Sequence, residues 1–280
     1  MSSPTVDNTY QTCLTDLSSD GASPSTDALL QCISSSFDAT KSNTNASIDT
    51  FFLLYAASLV FFMQTGFAMI SAGCVRHINV QNTLLKNLLD ACGASLGFYT
   101  VGYAFAFGGT FDSTNTTFIG SDNFFLMGVK NDSFWLFQYA FCATSATIVA
   151  GTLAERCQMT AYLAYSIMLA GFVYPVVVHS IWSNAGFLSP FNLNPLWGSG
   201  MVDFAGSCVV HITGGMTALI ATLILGPRTG RFYDMRGKLL DEPKEFPGHS
   251  LALQCLGVSY QSYMLCTSML YRHYVIASHF

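Results

Sequence analysis

Five stretches of this chain, residues 50–75, 87–111, 133–154, 159–182 and 201–226, are each more than 20 residues long and nearly free of Asp, Glu, Lys and Arg. In hydrocarbon no water meets the backbone N–H and C=O groups, so a stretch of this kind must satisfy them internally. A helix is the simplest way to do so. About 20 mostly apolar residues are enough to cross a bilayer core. The expected fold class is therefore all-α, a polytopic membrane protein with five transmembrane helices. Composition agrees: 51 % of residues are hydrophobic and 10 % charged, against roughly 25 % charged in a soluble protein. A net charge of −5 gives no reason to expect a nucleic-acid partner.

The spans differ in what they carry. The first has no charged residue, and the second holds only Asp90. The fourth contains His179 and a kink-prone Pro175. A weaker sixth candidate, 249–271, is uncharged up to Tyr271 but diluted by Gln254, Ser259, Gln261 and Ser262. Gly93 and Gly97 form a GxxxG, and Gly214 with Gly215 bares the backbone of the fifth span. Both patterns suit close helix contacts.

Arg76, Lys86 and Arg156 fall in short loops on one side, joined by Arg228, Arg231, Arg236, Lys238 and Lys244 after the fifth span. The other side has only Lys41 and Lys130. The positive-inside rule puts the latter side, and the amino terminus, outside. The sequons at Asn45, Asn115 and Asn131 all fall there, which would make the protein a glycoprotein. Residues 1–49, rich in Ser, Thr, Asp and Asn, are expected to be a poorly ordered extracellular tail without a cleaved signal. Cys13 and Cys32 lie in this oxidising compartment, where a disulfide between them or to another subunit is open. The other seven cysteines are too scattered for a metal site.

The remaining polar groups inside the spans are the candidates for function. Asp90 lies close to the cytoplasmic edge, where it would cap a neighbouring helix or meet Lys86 one turn earlier. Glu155 and Arg156, at the end of the third span, suit a solvated or loop-pinning pair better than catalysis. Asp203 and His211 stand eight residues apart in the fifth span, which holds no other ionisable side chain except Cys208. On a helix that spacing is about 12 Å of rise and about 80° of rotation, so they do not form a pair. Asp203, at the outer mouth, would organise helix N-termini or attract a cation. His211, near mid-membrane, would pass or accept a proton, hold a small polar ligand, or be a core histidine satisfied by a backbone carbonyl.

Phe137 and Phe141, four residues apart, share one face near the outer end of the third helix, and Trp182 ends the fourth span at the same level. Aromatic belts are ordinary at interfaces. Converging aromatic faces would also bind a small cation by cation–π attraction. No nucleophile, base and orienting group occur together, so an enzyme is not expected, and neither is a cofactor or a resident metal.

The segment DFAGSCVVHITGGMTALI resembles the signature of the ammonium transporter family, the Amt, Mep and Rh proteins. So do GFAMISAGCVRHINVQNTLLKNLLDA, YAFAFGG and AGTLAERCQ. The likeness runs from about Asp49 to Ser250 and is nearer the eukaryotic, plant-type Amt branch than Rh. It implies a homotrimer in the plasma membrane, each subunit with its own narrow pore for ammonium or ammonia. By the same resemblance Phe141 matches the outer gate, Phe137 and Trp182 the aromatics of the outer ammonium site, Asp203 the acid supporting that site, and His211 the first of two pore histidines. Ammonium would be captured at the aromatic mouth, then separated into ammonia and a proton that pass the histidine-lined pore.

The family is built as two inverted halves of five spans, and the likeness covers the first of them. After GHSLALQCLGV the text becomes SYQSYMLCTSMLYRHYVIASHF. The second gate phenylalanine, a serine of the outer site and the second pore histidine belong to the other half. A frameshift, an alternative transcript or an error in the gene model would each produce such a chain. The expected organisation is a tail (1–49), a five-helix membrane half (50–226), a cytoplasmic loop (227–248) and a divergent carboxyl-terminal segment (249–280). Two functions stay open: ammonium transport, with this chain alone non-conducting, or a regulatory or assembly subunit joining full-length transporters.

Overall fold

The computed structural model describes residues 6–17, 25–109, 116–234 and 236–278, the side chains of 6–8 and 269–278 excepted. The sequon at Asn115 and the end of the second predicted span, Phe111, lie outside the described residues. The chain divides into two compact units, Met1–Leu53 and Leu54–Phe280. The regular structure of the described residues is helical, with isolated bridges at Thr117–Gly186 and Tyr233–Leu239 in place of strands and long irregular segments at 183–206, 226–234 and 236–250.

The described part of the amino-terminal tail is helical, which corrects the expectation of a poorly ordered segment. Helix α1 runs Val6–Leu17, and α2, Thr26–Cys74, begins well before the first apolar stretch. Ser25 starts α2 by accepting the Ala28 amide on its Oγ at 3.2 Å. Along the polar half, the hydroxyls of Thr40, Thr44, Ser47 and Thr50 each donate to the carbonyl four residues back. Hydroxyl residues bonded in this way are compatible with a helix that is propagated from the apolar part. A disulfide joins Cys13 to Cys32.

In the second unit, α3 (Val80–Gly97) continues through a π-helical turn, Phe98–Gly102, into α4 (Tyr103–Phe107). Helix α5 is Asp132–Leu153. Helix α6 (Met159–Met168) passes through a second π turn, Leu169–Val173, into α7 (Tyr174–Trp182). This turn absorbs Pro175, which lacks an N–H and ordinarily disrupts the preceding turn. A third π turn, Ser207–Ile212, leads into α8 (Thr213–Leu225), and α9 is Leu251–Ser278.

Among the described residues four helices are long and apolar enough to cross a membrane: Thr26–Cys74, Asp132–Leu153, Met159–Trp182 and Ser207–Leu225. The second predicted span is helical but is not one of them. It starts earlier than expected, so that Gln81, Asn82 and Lys86 ride on the helix rather than in a loop.

Helix α5 is the centre of the core. Every residue from Gln138 to Thr147 is buried, as for a helix packed on all sides. Against it lie Phe98, Tyr103, Tyr162, Tyr174 and Val209, with Ala94, Ala143, Ala146 and Ala170 letting helices approach. The GxxxG works as expected: a Cβ on Gly97 would stand 2.6 Å from the Ile167 carbonyl oxygen. Gly214 likewise faces Ser145 and Ile148, whereas Gly215 meets nothing within 4 Å. Helix α9 lies antiparallel on α2. A Cβ on Gly66 would be 2.9 Å from the Gly257 carbonyl, and one on Gly73 would be 2.6 Å from that of Ser250.

The loops at one end are tied by Glu155, whose side chain is 1 % exposed. Its Oε1 accepts from the Arg76 amide (3.2 Å), Arg76 Nε (3.0 Å) and Asn79 Nδ2 (2.6 Å), while Arg228 Nη1 stands 2.8 Å from Oε2. Glu155 is thus a buried pin rather than a solvated one, in a left-handed backbone conformation with φ of 62°. Arg156 Nη1 donates to the Gly226 carbonyl at 3.1 Å, beyond the end of α8.

Burial works against the charge of Glu155. The bonds from Asn79 and Arg76 and the charge of Arg228 outweigh it, holding the carboxyl below its usual value. A lowered native value contributes stability above the unfolded pKa and loses it as pH falls through the native one. Thermal melts in detergent should therefore be flat above about pH 5 and decline below about pH 4, near the ordinary glutamate value. Glu155→Gln should lose that part of the acid limb. In melts at neutral pH, Gly97→Leu should cost about 1–3 kcal/mol through forced overpacking. Gly215→Ala, with open space at its Cβ, should cost nothing measurable.

Candidate functional site

Five residues singled out in the sequence occupy the amino-terminal half of α5, the end of α7 and the approach to α8. Asn131 sets the start of α5, its Oδ1 accepting the Phe134 amide at 3.0 Å and the Ser133 hydroxyl at 2.6 Å. From that start Phe137 and Phe141 fall on one face, their ring centroids 4.9 Å apart and nearly perpendicular. Trp182 stands edge-on to Phe141 at 5.7 Å. The three rings form a continuous series, with Phe141 buried and the two outer members partly so. A ring face is the side of an aromatic that attracts a cation.

Trp182 is held in place by a hydrogen bond, its Nε1 donating to the Asp203 carbonyl at 3.0 Å. The Asp203 carboxylate turns the other way. Oδ1 accepts the Gly206 amide at 2.9 Å, and Oδ2 accepts those of Cys208 (3.1 Å) and Val209 (2.7 Å). Of the two roles open to it, the described contacts are those of a helix N-terminal cap, where a carboxylate also meets the positive end of the dipole. Gly206 must turn left-handed to close this cap, with φ of 83°.

His211 follows on the π turn. The Gly206 carbonyl receives the backbone amides of Val210 (3.0 Å) and His211 (2.9 Å) and also faces His211 Nδ1 at 3.2 Å. A carbonyl only accepts, so the Nδ1 facing it carries a proton. The imidazole is half-buried. Asp203 and His211 are not in contact, in keeping with their spacing, but both are fixed through Gly206.

His179 and Asp90 are held by hydrogen bonds inside the bundle. His179 is fully buried, with Nδ1 3.0 Å from the Ala106 carbonyl and Nε2 2.9 Å from Thr117 Oγ1. Asp90 does not pair with Lys86: its Oδ2 accepts from the Tyr162 hydroxyl at 2.8 Å, while Lys86 Nζ donates to the Cys157 carbonyl at 2.7 Å. Among the described residues no three His, Cys, Asp or Glu come together as metal ligands. Gly206 was not singled out as the shared anchor of Asp203 and His211. The signal available for it was an acid three residues ahead of a glycine at a helix start.

A bundle of long apolar helices of this kind defines a polytopic membrane protein. The Ammonium Transporter Family model matches residues 51–260, and the chain belongs to that family. It is 46 % identical over 215 residues to Ammonium transporter 1 member 3 of Solanum lycopersicum, covering 75 % of this chain and 45 % of that protein. To Ammonium transporter 3 of Dictyostelium discoideum it is 41 % identical over 231 residues, covering 81 % and 50 %. A solved structure described as Sensor Amt Protein superposes with a TM-score of 0.68 at 30 % identity, covering 82 % of this chain and 56 % of the other. Mep2 of Candida albicans, at 23 % identity and a TM-score of 0.60, shares the fold. The chain spans about half the length of the curated relatives it matches.

Asp203→Ala removes the acceptor of three backbone amides and should lower stability in detergent melts by about 1–2 kcal/mol, the usual cost of a lost N-cap. Asp203→Asn keeps one acceptor oxygen but turns an NH2 donor toward the amide or amides of the other, so it should recover only part of it.

Proposed function

We propose that residues 50–226 form one wall of an ammonium-conducting pore in the plasma membrane, with the amino terminus outside. The observation supporting this reading is the chain of contacts among these groups: the rings of Phe137, Phe141 and Trp182 in series, Trp182 bonded to the Asp203 carbonyl, and Asp203 and His211 both bonded to Gly206. The aromatic faces attract ammonium by cation–π contact. Asp203 holds Trp182 and the start of the π turn in position and leaves capture to the rings. At His211, Nε2 accepts a hydrogen bond from an ammonium N–H and then its proton: the N–H bond breaks with its electron pair left on ammonia, and the ring carries the proton as imidazolium before passing it on. The reading includes no enzymatic step, and the working unit is a homotrimer or an assembly with full-length family members.

A second reading has its own support. Along α8 and the turn before it, Ile212, Met216, Leu219, Ile220, Leu223 and Ile224 are all exposed, Ile224 by 78 %. An apolar face beside a polar imidazole suits a chain that works only when another polypeptide covers it. A non-conducting assembly subunit would use the same face.

Residues 1–280 expressed alone in cells lacking their own ammonium uptake should therefore give no saturable uptake. A chimera that places residues 50–226 in the corresponding half of the tomato relative should restore it. In that chimera Trp182→Ala should raise the KM, and His211→Ala should change rate or selectivity while leaving the surface amount unaltered. A chimera that reaches the membrane and carries no ammonium would sink the pore reading.

A further inference from the structure

Away from the aromatic mouth, where α3, the turn from α5 to α6 and the segment after α8 meet, lies a cavity of about 600 Å³. Arg76, Lys86 and Arg156 line it, with Glu155 as the one carboxylate. That carboxylate is already engaged by Arg76, Asn79 and Arg228. A second cavity of about 400 Å³ shares Arg156 and adds Arg228 and Arg231. Arg156 thus stands between two hollows with an excess of cationic side chains around both.

Three further observations show that this is more than a charged surface. Arg156 Nε is buried with no hydrogen-bond partner among the described residues, although its Nη1 is used on Gly226. Lys86 is buried to 9 % exposure, and its Nζ is fixed by the Cys157 carbonyl at 2.7 Å and lies over the Tyr162 ring at 5.4 Å. An ammonium group has three N–H bonds, so two remain for other acceptors. Gln158 and Met159, at the start of α6, also line the cavity, and no side chain caps that helix. Its first amides are unmatched within the helix and carry the positive end of its dipole.

A donor set of guanidinium, ammonium and helix amides, with its only carboxylate neutralised, fits phosphate oxygens. We infer that the Arg156 cavity binds the phosphate of an anionic phospholipid headgroup. The cavity lies where the spanning helices α5 and α6 end and begin, at headgroup depth, and basic pockets at that depth are suited to anionic lipids. Free phosphate offers the same oxygens and is the other source of this chemistry. The inference rests on the membrane-spanning reading of these helices and is independent of whether the pore conducts.

The test uses the full 280-residue chain in a neutral detergent, titrated calorimetrically with dioctanoyl phosphatidylglycerol, dioctanoyl phosphatidylcholine or sodium phosphate. Phosphatidylglycerol should bind at least about 5-fold more tightly than phosphatidylcholine, the effect of one engaged cationic side chain. Arg156→Gln and Lys86→Gln should each remove about that factor for phosphatidylglycerol and leave phosphatidylcholine binding unchanged, with helical content by circular dichroism unchanged. Lys238→Gln, in the same loop region but outside both cavities, should have no effect. Sodium phosphate binding more weakly than phosphatidylglycerol, and sensitive to the same two variants, identifies the lipid as the source. Phosphate binding as tightly as the lipid assigns the site to the free anion and overturns the lipid assignment. Equal affinity of the unaltered chain for the two lipids overturns the site altogether, and needs no variant to fold. A chimera that fails to carry ammonium while this lipid preference persists separates failure of the pore reading from failure of this one.

Discussion

A backbone amide or carbonyl left without a partner in hydrocarbon costs several kcal/mol, and the ends of every spanning helix carry such groups. Much of what is polar in this chain is placed to meet that demand. Asp203 takes three amides before α8, Asn131 takes one at the start of α5, and Lys86 and Arg156 each donate to a carbonyl beyond a helix end. The candidate site is built from the same bonds. Trp182 is oriented by the carbonyl of the residue whose carboxylate caps the next helix, and His211 is oriented by the carbonyl of the glycine that closes the cap. A change in the cap therefore reaches ring and imidazole together.

The interior follows from close approach rather than from large side chains alone. Gly97 meets the backbone of α6, Gly214 meets α5, and Gly66 and Gly73 meet α9. Between these contacts the π turns at Phe98–Gly102, Leu169–Val173 and Ser207–Ile212 change the helical register. The last of them carries His211. One added residue in a turn is enough to redirect the side chains that follow, and π turns are frequent at functional positions for this reason.

Hydrophobic length made the helices legible in the sequence, because the bilayer requirement acts on composition. Four-residue spacing made the Phe137–Phe141 face legible, because it is local to one helix. The join to Trp182 depended on matching the depth of two spans. What depends on tertiary partners was harder to see. The tail looked too polar for order, but its hydroxyls bond backward along a helix begun at Ser25. Lys86 and Asp90 have the spacing of an ion pair, yet each has a partner brought by α6 or the turn before it. Gly215 shares the small-residue pattern of Gly214, yet a Cβ there would meet nothing within 4 Å. Glu155 is a single acid at the end of a span, and nothing local shows that it gathers groups from 76, 79 and 228.

The Glu155 pin also has a consequence for how the chain is made. Synthesis runs from the amino terminus, and the partners of this carboxylate lie 79 residues before it at Arg76 and far beyond it at Arg228. On the proposed orientation Arg76 emerges with no acid to balance it while the first two spans choose their direction, so its full charge is available to hold that loop in the cytoplasm. Only when the third span is complete does Glu155 arrive and convert the same arginine from a signal for insertion into a fastener between loops.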